Sequence, residues 1–138
     1  MKLSIEKEEL LKSLSIVGKA ISNKPNLNTA GCILIDATKG FIRLLASNED
    51  MAIQGIVNGN IEEEGMVGID ARLFTDIIRK IPEGIINLSY NEKEDEDSIN
   101  VHIESDNIKF NISGKNGYLF SDLPGIERNY KLEISEYA

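Results

Sequence analysis

The sequence predicts an α+β fold made from one βαβββ unit used twice. Three observations carry that prediction. Residues 3 to 17 and 67 to 81 share a pattern offset by 64 positions: Leu3 and Ile5 alternate as in a short strand, Val67 and Ile69 repeat them, and Leu10, Leu14 and Val17 recur as Phe74, Ile78 and Ile81. An acidic residue, Glu6 or Asp70, stands at each junction of strand and helix. Each helical stretch is followed by three strand-like runs separated by turn residues.

The elements follow in order. From Glu6 to about Ile21 the apolar residues fall at 10, 14, 17 and 21 with Leu11 beside them, which is helical spacing, and Asn23-Lys24-Pro25-Asn26 ends the helix. Strands are expected over residues 30–37, 41–46 and 51–57, with turns at Lys39-Gly40 and at Asn48 to Asp50; Asn58-Gly59 closes the set. The second unit opens with a strand at 66–69 and a helix over about 71–81, stopped by Pro82-Glu83-Gly84. Strands at 85–90, 98–104 and 107–113 complete it, the last alternating Ile108, Phe110 and Ile112 against Lys109, Asn111 and Ser113. The repeats therefore span about 1–60 and 65–114, a loop-like stretch runs from Tyr118 to Gly125, and one domain is expected over 1–128. Lys131-Leu132-Glu133-Ile134 begins a further alternating strand, so 129–138 reads as the start of a truncated following domain.

At 138 residues with 41% hydrophobic side chains, the chain can bury a core of its own and is short for two independent domains. It contains no apolar run near the roughly 18 residues of a membrane span and no signal-peptide pattern, so a soluble, intracellular protein is expected. The single cysteine, Cys32, sits in the run Cys32-Ile33-Leu34-Ile35 and is expected as a buried strand thiol. The net charge of −8 is local in origin. Removing Glu62, Glu63, Glu64 and Glu92, Glu94, Asp95, Glu96, Asp97 from the 23 acidic residues leaves 15, equal to the 15 Lys plus Arg. Both clusters fall between strand-like runs, which places the excess acid in loops and leaves the remaining surface balanced.

Both helices carry their cations away from the core stripe. Stepping about 100° per residue from the first core position places Lys12 and Lys19 at about 180° to 200°, and Arg72 and Arg79 at about 140° to 160°. A solvated charged face is ordinary for an amphipathic helix, and Glu8 and Asp76 share these faces. The repetition adds meaning. Two equivalent helices in a duplicated unit pack side by side on one layer against the sheet, so their outer faces merge into one mildly basic surface.

Catalytic and metal readings find little support. His102 is the only histidine and lies in an alternating strand, the acidic run at 92–97 lacks the glycine and spaced ligands of an EF-hand loop, and Gly114-Lys115-Asn116-Gly117 opens no helix as a phosphate loop would. No catalytic residue, metal site or cofactor is expected.

Several segments resemble the first domain of the bacterial replicative sliding clamp, the beta subunit of DNA polymerase III. They are Met1 to Lys12, the Lys24-Pro25 turn, the string Asp70-Ala71-Arg72-Leu73-Phe74-Thr75-Asp76-Ile77-Ile78-Arg79-Lys80-Ile81-Pro82-Glu83-Gly84, and Phe110-Asn111-Ile112-Ser113. The resemblance covers nearly the whole chain in order, and the Ala-Arg…Asp-Ile…Arg…Pro-Glu-Gly string is its most specific part. It departs from the family pattern at Asn26-Leu27-Asn28-Thr29, at Ser47-Asn48-Glu49-Asp50 and at Ser121-Asp122-Leu123-Pro124-Gly125.

The resemblance implies a DNA-clamp fold and a non-catalytic processivity factor. In this family a subunit has three such domains, and two subunits close head to tail into a ring whose lumen is lined by helices and threaded by duplex DNA. Such a ring must slide, which favours weak phosphate contacts without base readout. By resemblance Lys24 and Arg72 fall at DNA-contacting positions, with Lys12, Lys19, Arg79 and Lys80 as helpers, and Phe110 and Ile112 match the strand that meets the other subunit. Read from the residues alone, those two are core-facing strand positions. The implied partners are duplex DNA, a second clamp subunit, DNA polymerase III and the clamp loader, in the cytoplasm and with no membrane; the peptide-binding pocket lies in later domains, and this chain alone is expected to be monomeric. The competing expectation is a free-standing acidic α+β protein-interaction module.

Overall fold

The computed structural model describes residues 1–21, 31–47, 51–91 and 98–120. Strand β1 (Lys2–Glu6) runs directly into helix α1 (Lys7–Val17), which tightens into a 3-10 turn at Gly18–Ala20. Strands β2 (Cys32–Asp36), β3 (Ile42–Ser47), β4 (Ala52–Val57) and β5 (Gly59–Glu63) follow. Then β6 (Met66–Asp70) runs into α2 (Ala71–Lys80), and β7 (Ile85–Tyr90), β8 (Ser98–Ser105) and β9 (Ile108–Asn116) lead to a 3-10 turn at Gly117–Phe120. The expected α+β class holds, with two helices over one large antiparallel sheet.

The two helices start differently although both follow a strand without a linker. The Asp70 carboxylate accepts the Leu73 N–H at 2.9 Å and satisfies one of the donors that a helix start leaves unpaired, whereas Glu6 makes no such cap. Each helix then buries one stripe: Leu10, Leu14 and Val17 on α1, and Phe74, Ile77 and Ile78 on α2.

The nine strands form one sheet in the order β4-β3-β2-β6-β9-β8-β7-β1-β5. Each half lends its first strand to the other: β1 pairs with β7, placing Leu3 opposite Leu88 and Ile5 opposite Ile86, and β6 pairs with β2, placing Val67 opposite Ile35 and Ile69 opposite Ile33. The exchange is locked by two matching hydrogen bonds. Lys7 N–H donates to the Gly84 carbonyl at 2.9 Å, and Ala71 N–H donates to the Gly31 carbonyl at 2.9 Å. Both acceptor glycines have positive φ, 143° and 84°, where a side chain would strain the backbone.

One expectation is corrected here. Asn58-Gly59 does not close the first set of strands, because β5 begins at Gly59 and pairs with β1, Ile5 opposite Gly59 and Leu3 opposite Ile61. Glu62 and Glu63 therefore lie on an edge strand rather than in a loop, with Glu62 3.5 Å from the Lys2 ammonium; only Glu64 follows the strand. A sheet edge tolerates such charge because outward carboxylates stay in water and discourage pairing with another chain. Strand β9 also runs on to Asn116, three residues past the expected end, although its clean alternation stops at Gly114. The 92–97 run, the segment after Pro25, the turn at Asn48 to Asp50 and residues 121–138 lie outside the described residues.

Joined by Asn58 alone, β4 and β5 stand at opposite ends of the strand order. The sheet must therefore curl until its ends nearly meet. The hollow of that curl holds the main core, where Leu3, Ile5, Ile33, Ile35, Leu44, Val67, Ile69, Ile86, Leu88, Val101 and Ile103 meet the helix stripes. Each fully buried residue of this kind stabilises by about 1.5–3 kcal/mol. A smaller cluster of Cys32, Leu34, Leu45 and Phe120 lies on the other face of β2 and β3.

Candidate nucleic-acid interface

The helices lie side by side and antiparallel. Lys7, at the start of α1, donates its Nζ to the Arg79 carbonyl near the end of α2 at 3.3 Å, while Leu14, Ser15 and Gly18 of the other end of α1 face Ala71, Arg72 and Thr75 of the first turns of α2. Between them runs a shallow groove of about 370 Å³ lined also by Asp76 and Arg79.

Each predicted cation among the described residues sits on the solvent side of this layer: Lys12 and Lys19 on the α1 side, Arg72, Arg79 and Lys80 on α2, all exposed. Lys24 lies outside the described residues. Lys12 sits midway along α1 and Lys19 in the 3-10 turn after it, while Arg72 and Arg79 stand near opposite ends of α2, so the cations spread along the layer rather than forming one dense patch. Glu8 and Asp76 are exposed on the same surface. Such a face offers a polyanion a diffuse attraction, without the convergent donors that base readout needs.

The structure adds two features that the sequence did not single out. Ile16 and Leu73 are large apolar residues left 49% and 45% exposed on the helices, at positions where the helical stripe alone gives no reason for an apolar residue. On the far side of the sheet Arg43 and Asp36 form a buried ion pair, Nη2 to Oδ2 at 2.6 Å and Nε to Oδ2 at 2.8 Å, with Thr38 donating to Asp36 and Gln54 accepting from Arg43 at 2.9 Å. Burial pushes the Asp36 carboxyl up, but hydrogen bonds from Thr38 and Arg43 and the guanidinium charge outweigh it and hold the group below its ordinary range. A charged residue at alternate positions of an otherwise apolar strand was the available signal.

Phe110 and Ile112 are half-buried and pack against the main core. They lie opposite Ile103 and Val101 of β8, while on the other side β9 pairs with β6 only at Lys115 and Asn116. The stretch of β9 before Gly114 thus has a free edge among the described residues. His102 is a partly exposed strand residue hydrogen-bonded to Asn111. Cys32 is buried, and desolvation pushes its thiol up, away from the reactive thiolate. Among the described residues, no three His, Cys, Asp or Glu side chains gather as metal ligands, and no helix is long and apolar enough to cross a membrane.

Residues 1–122 match the family model described as the DNA polymerase III beta subunit, N-terminal domain. The chain belongs to this family. It is 32% identical over 130 residues to the beta sliding clamp of Synechocystis, a match that covers 92% of this chain and 33% of that protein. Among solved structures, a DNA polymerase III beta subunit from Eubacterium rectale superposes with a TM-score of 0.82 at 35% identity, covering 99% of this chain and 34% of the other. The DNA polymerase sliding clamp of Bacillus subtilis gives 0.78 at 26% identity, over 93% of this chain and 34% of that one. The chain spans about a third of the length of these beta-subunit relatives.

Proposed function

We propose that this chain is the first domain, residues 1–128, of a cytoplasmic sliding clamp that encircles duplex DNA and keeps the replicative polymerase on its template without itself catalysing a reaction. One observation carries the reading: the two helices pack antiparallel with their cationic sides exposed together, Lys12 and Lys19 beside Arg72, Arg79 and Lys80. A surface of this kind, on an acidic domain, attracts phosphates weakly and without sequence preference, as a ring that slides must. The names of the matched relatives support it. Lys24 and Arg72 are the principal DNA contacts in this reading.

The edge of β9 left unpaired among the described residues, with half-buried Phe110 and Ile112 beside it, is the surface proposed to meet a second clamp subunit. An unpaired strand edge is a ready template for pairing with another chain, so its exposure here needs a partner or a means of avoiding one. DNA polymerase III and the clamp loader are the remaining partners, acting on the complete protein.

The decisive test changes Lys24 and Arg72 to alanine together in the complete protein. Loading and retention on closed circular DNA are expected to fall, with the slope of log affinity against log salt reduced by about 2, while the melting temperature stays near that of the unaltered protein. Unaltered retention and slope would reject the assignment of these contacts. Residues 1–138 alone are expected to sediment as a monomer and to slip from closed circles, since one domain cannot close a ring; trapping of that chain on circles would count against the clamp reading itself.

A further inference from the structure

We propose that Asp76 is a built-in counter-charge that keeps the helix surface from gripping the phosphodiester backbone. The inference rests on the reading of that surface as the DNA-facing side. Asp76 lines the groove between the helices together with Arg72 and Arg79. Helical geometry puts it about 6 Å along the axis from Arg72 and about 4.5 Å from Arg79, within about 60° of both around the helix.

The carboxylate has no structural task of its own. It lies in the middle of α2, where it can cap neither end, and among the described residues it makes no hydrogen bond or ion pair. Asp70 shows the contrast, since its carboxylate accepts the Leu73 N–H. Asp76 is exposed, so its carboxylate stays charged and hydrated on the groove that Arg72 and Arg79 also line.

Its effect is electrostatic. A phosphate approaching the groove meets the Asp76 carboxylate as well as the guanidinium groups that line it, so the net attraction is weaker than it would be with a neutral side chain at that position. At separations of about 6 Å and within a Debye length, the carboxylate's repulsion is worth about a three- to ten-fold change in affinity. A surface that has to release each phosphate as it takes the next gains speed from that weakening and loses nothing in retention, because retention in a closed ring comes from topology. Asp76 is a positioning charge for the sliding contact rather than a contact itself.

The test uses the complete protein and a linear duplex, where topology cannot hold the ring. Four forms are compared for affinity across a salt series: unaltered, Asp76→Asn, Glu104→Gln on the outer face of β8, and Arg72→Ala with Arg79→Ala. Asp76→Asn keeps the size and the hydrogen-bonding reach of the side chain, and a melting curve checks that it folds. It should bind about three- to ten-fold tighter at low salt, the gain should vanish at about 1 M salt, and loaded rings should diffuse more slowly along DNA. Glu104→Gln should stay within about two-fold of the unaltered protein. If the arginine variant weakens binding while Asp76→Asn matches the unaltered protein, or matches Glu104→Gln, the counter-charge idea is overturned and the DNA-facing assignment stands. If the arginine variant binds as the unaltered protein does, both fall.

Discussion

Asp36 with Arg43 and Ser89 with His102 occupy the same place in the two halves of the sheet. Aligning Ile35 on β2 with Leu88 on β7, which the pairing of the borrowed first strands requires, brings Asp36 onto Ser89, Arg43 onto His102, Ile56 onto Asn111 and Gly55 onto Phe110. One half uses the position for an ion pair with both members about 1–2% exposed; the other leaves Ser89 and His102 half-buried, His102 turned instead to Asn111. The backbone is duplicated, and its burial is not. Gly55 and Phe110 differ in the same spirit: a Cβ at Gly55 would stand 2.8 Å from the Ser13 Oγ and 3.2 Å from a Val17 methyl, so the glycine admits α1 close to β4, whereas Phe110 fills the equivalent place on β9 with its own ring. A pairing register can thus be inherited while each half settles separately which of its faces meets solvent.

The largest break in this comparison should come from Arg43→Met. It leaves the Asp36 carboxylate buried without its guanidinium, and a loss of about 3–5 kcal/mol is expected by chemical denaturation. His102→Ala at the equivalent position should lose less than about 1 kcal/mol, as for an exposed side-chain hydrogen bond. Equal losses would mean that the two sites are not as different as their burial indicates. Gly55→Ala comes next, destabilising by about 1–3 kcal/mol through overpacking against Ser13 and Val17. A neutral or stabilising result would show that α1 can lift away from β4 freely.

Helix starts give a smaller contrast. Asp70→Ala should lose about 1 kcal/mol with its cap, while Glu6→Ala should change stability within about 0.5 kcal/mol. The reverse order would place the working cap on the wrong helix. Last comes the pH response. Because the folded carboxyl of Asp36 lies below its unfolded value, its contribution is complete above the unfolded value, near pH 4, and is lost as pH falls through the folded one. Asp36→Asn should therefore flatten the stability profile below about pH 4 relative to the unaltered protein; an unchanged profile there would remove Asp36 from the acid response.

Much of this architecture was legible in the residues because most strands and both helices announce their own period. Ile85 to Tyr90 begins and ends where the alternation does, and Phe74, Ile77 and Ile78 mark the buried side of α2 directly. Strand β5 was not legible, since Asn58-Gly59 is an ordinary turn signal and Glu62-Glu63 is poor strand sequence; long-range pairing with β1 overrides both. Nor could the exchange of first strands be read, because alternation specifies a face and leaves the neighbour open. At the helix surface, angular position was enough to find the exposed cations, Arg72 and Arg79 among them. The groove joining them to Asp76 depends on how two helices approach each other, which no single helix encodes.

The exchange of first strands also sets an order of events during synthesis. When β1 leaves the ribosome, only β5 becomes available within the same half, and the strand that pairs its other side, β7, begins at Ile85. At translation rates of about 5–20 residues per second, that side waits on the order of several seconds. Leu3 and Ile5 must spend this interval without their β7 neighbours, so a chaperone that shelters nascent apolar strands has a defined window in which to act, and it closes once Ile86 and Leu88 have followed the turn at Gly84.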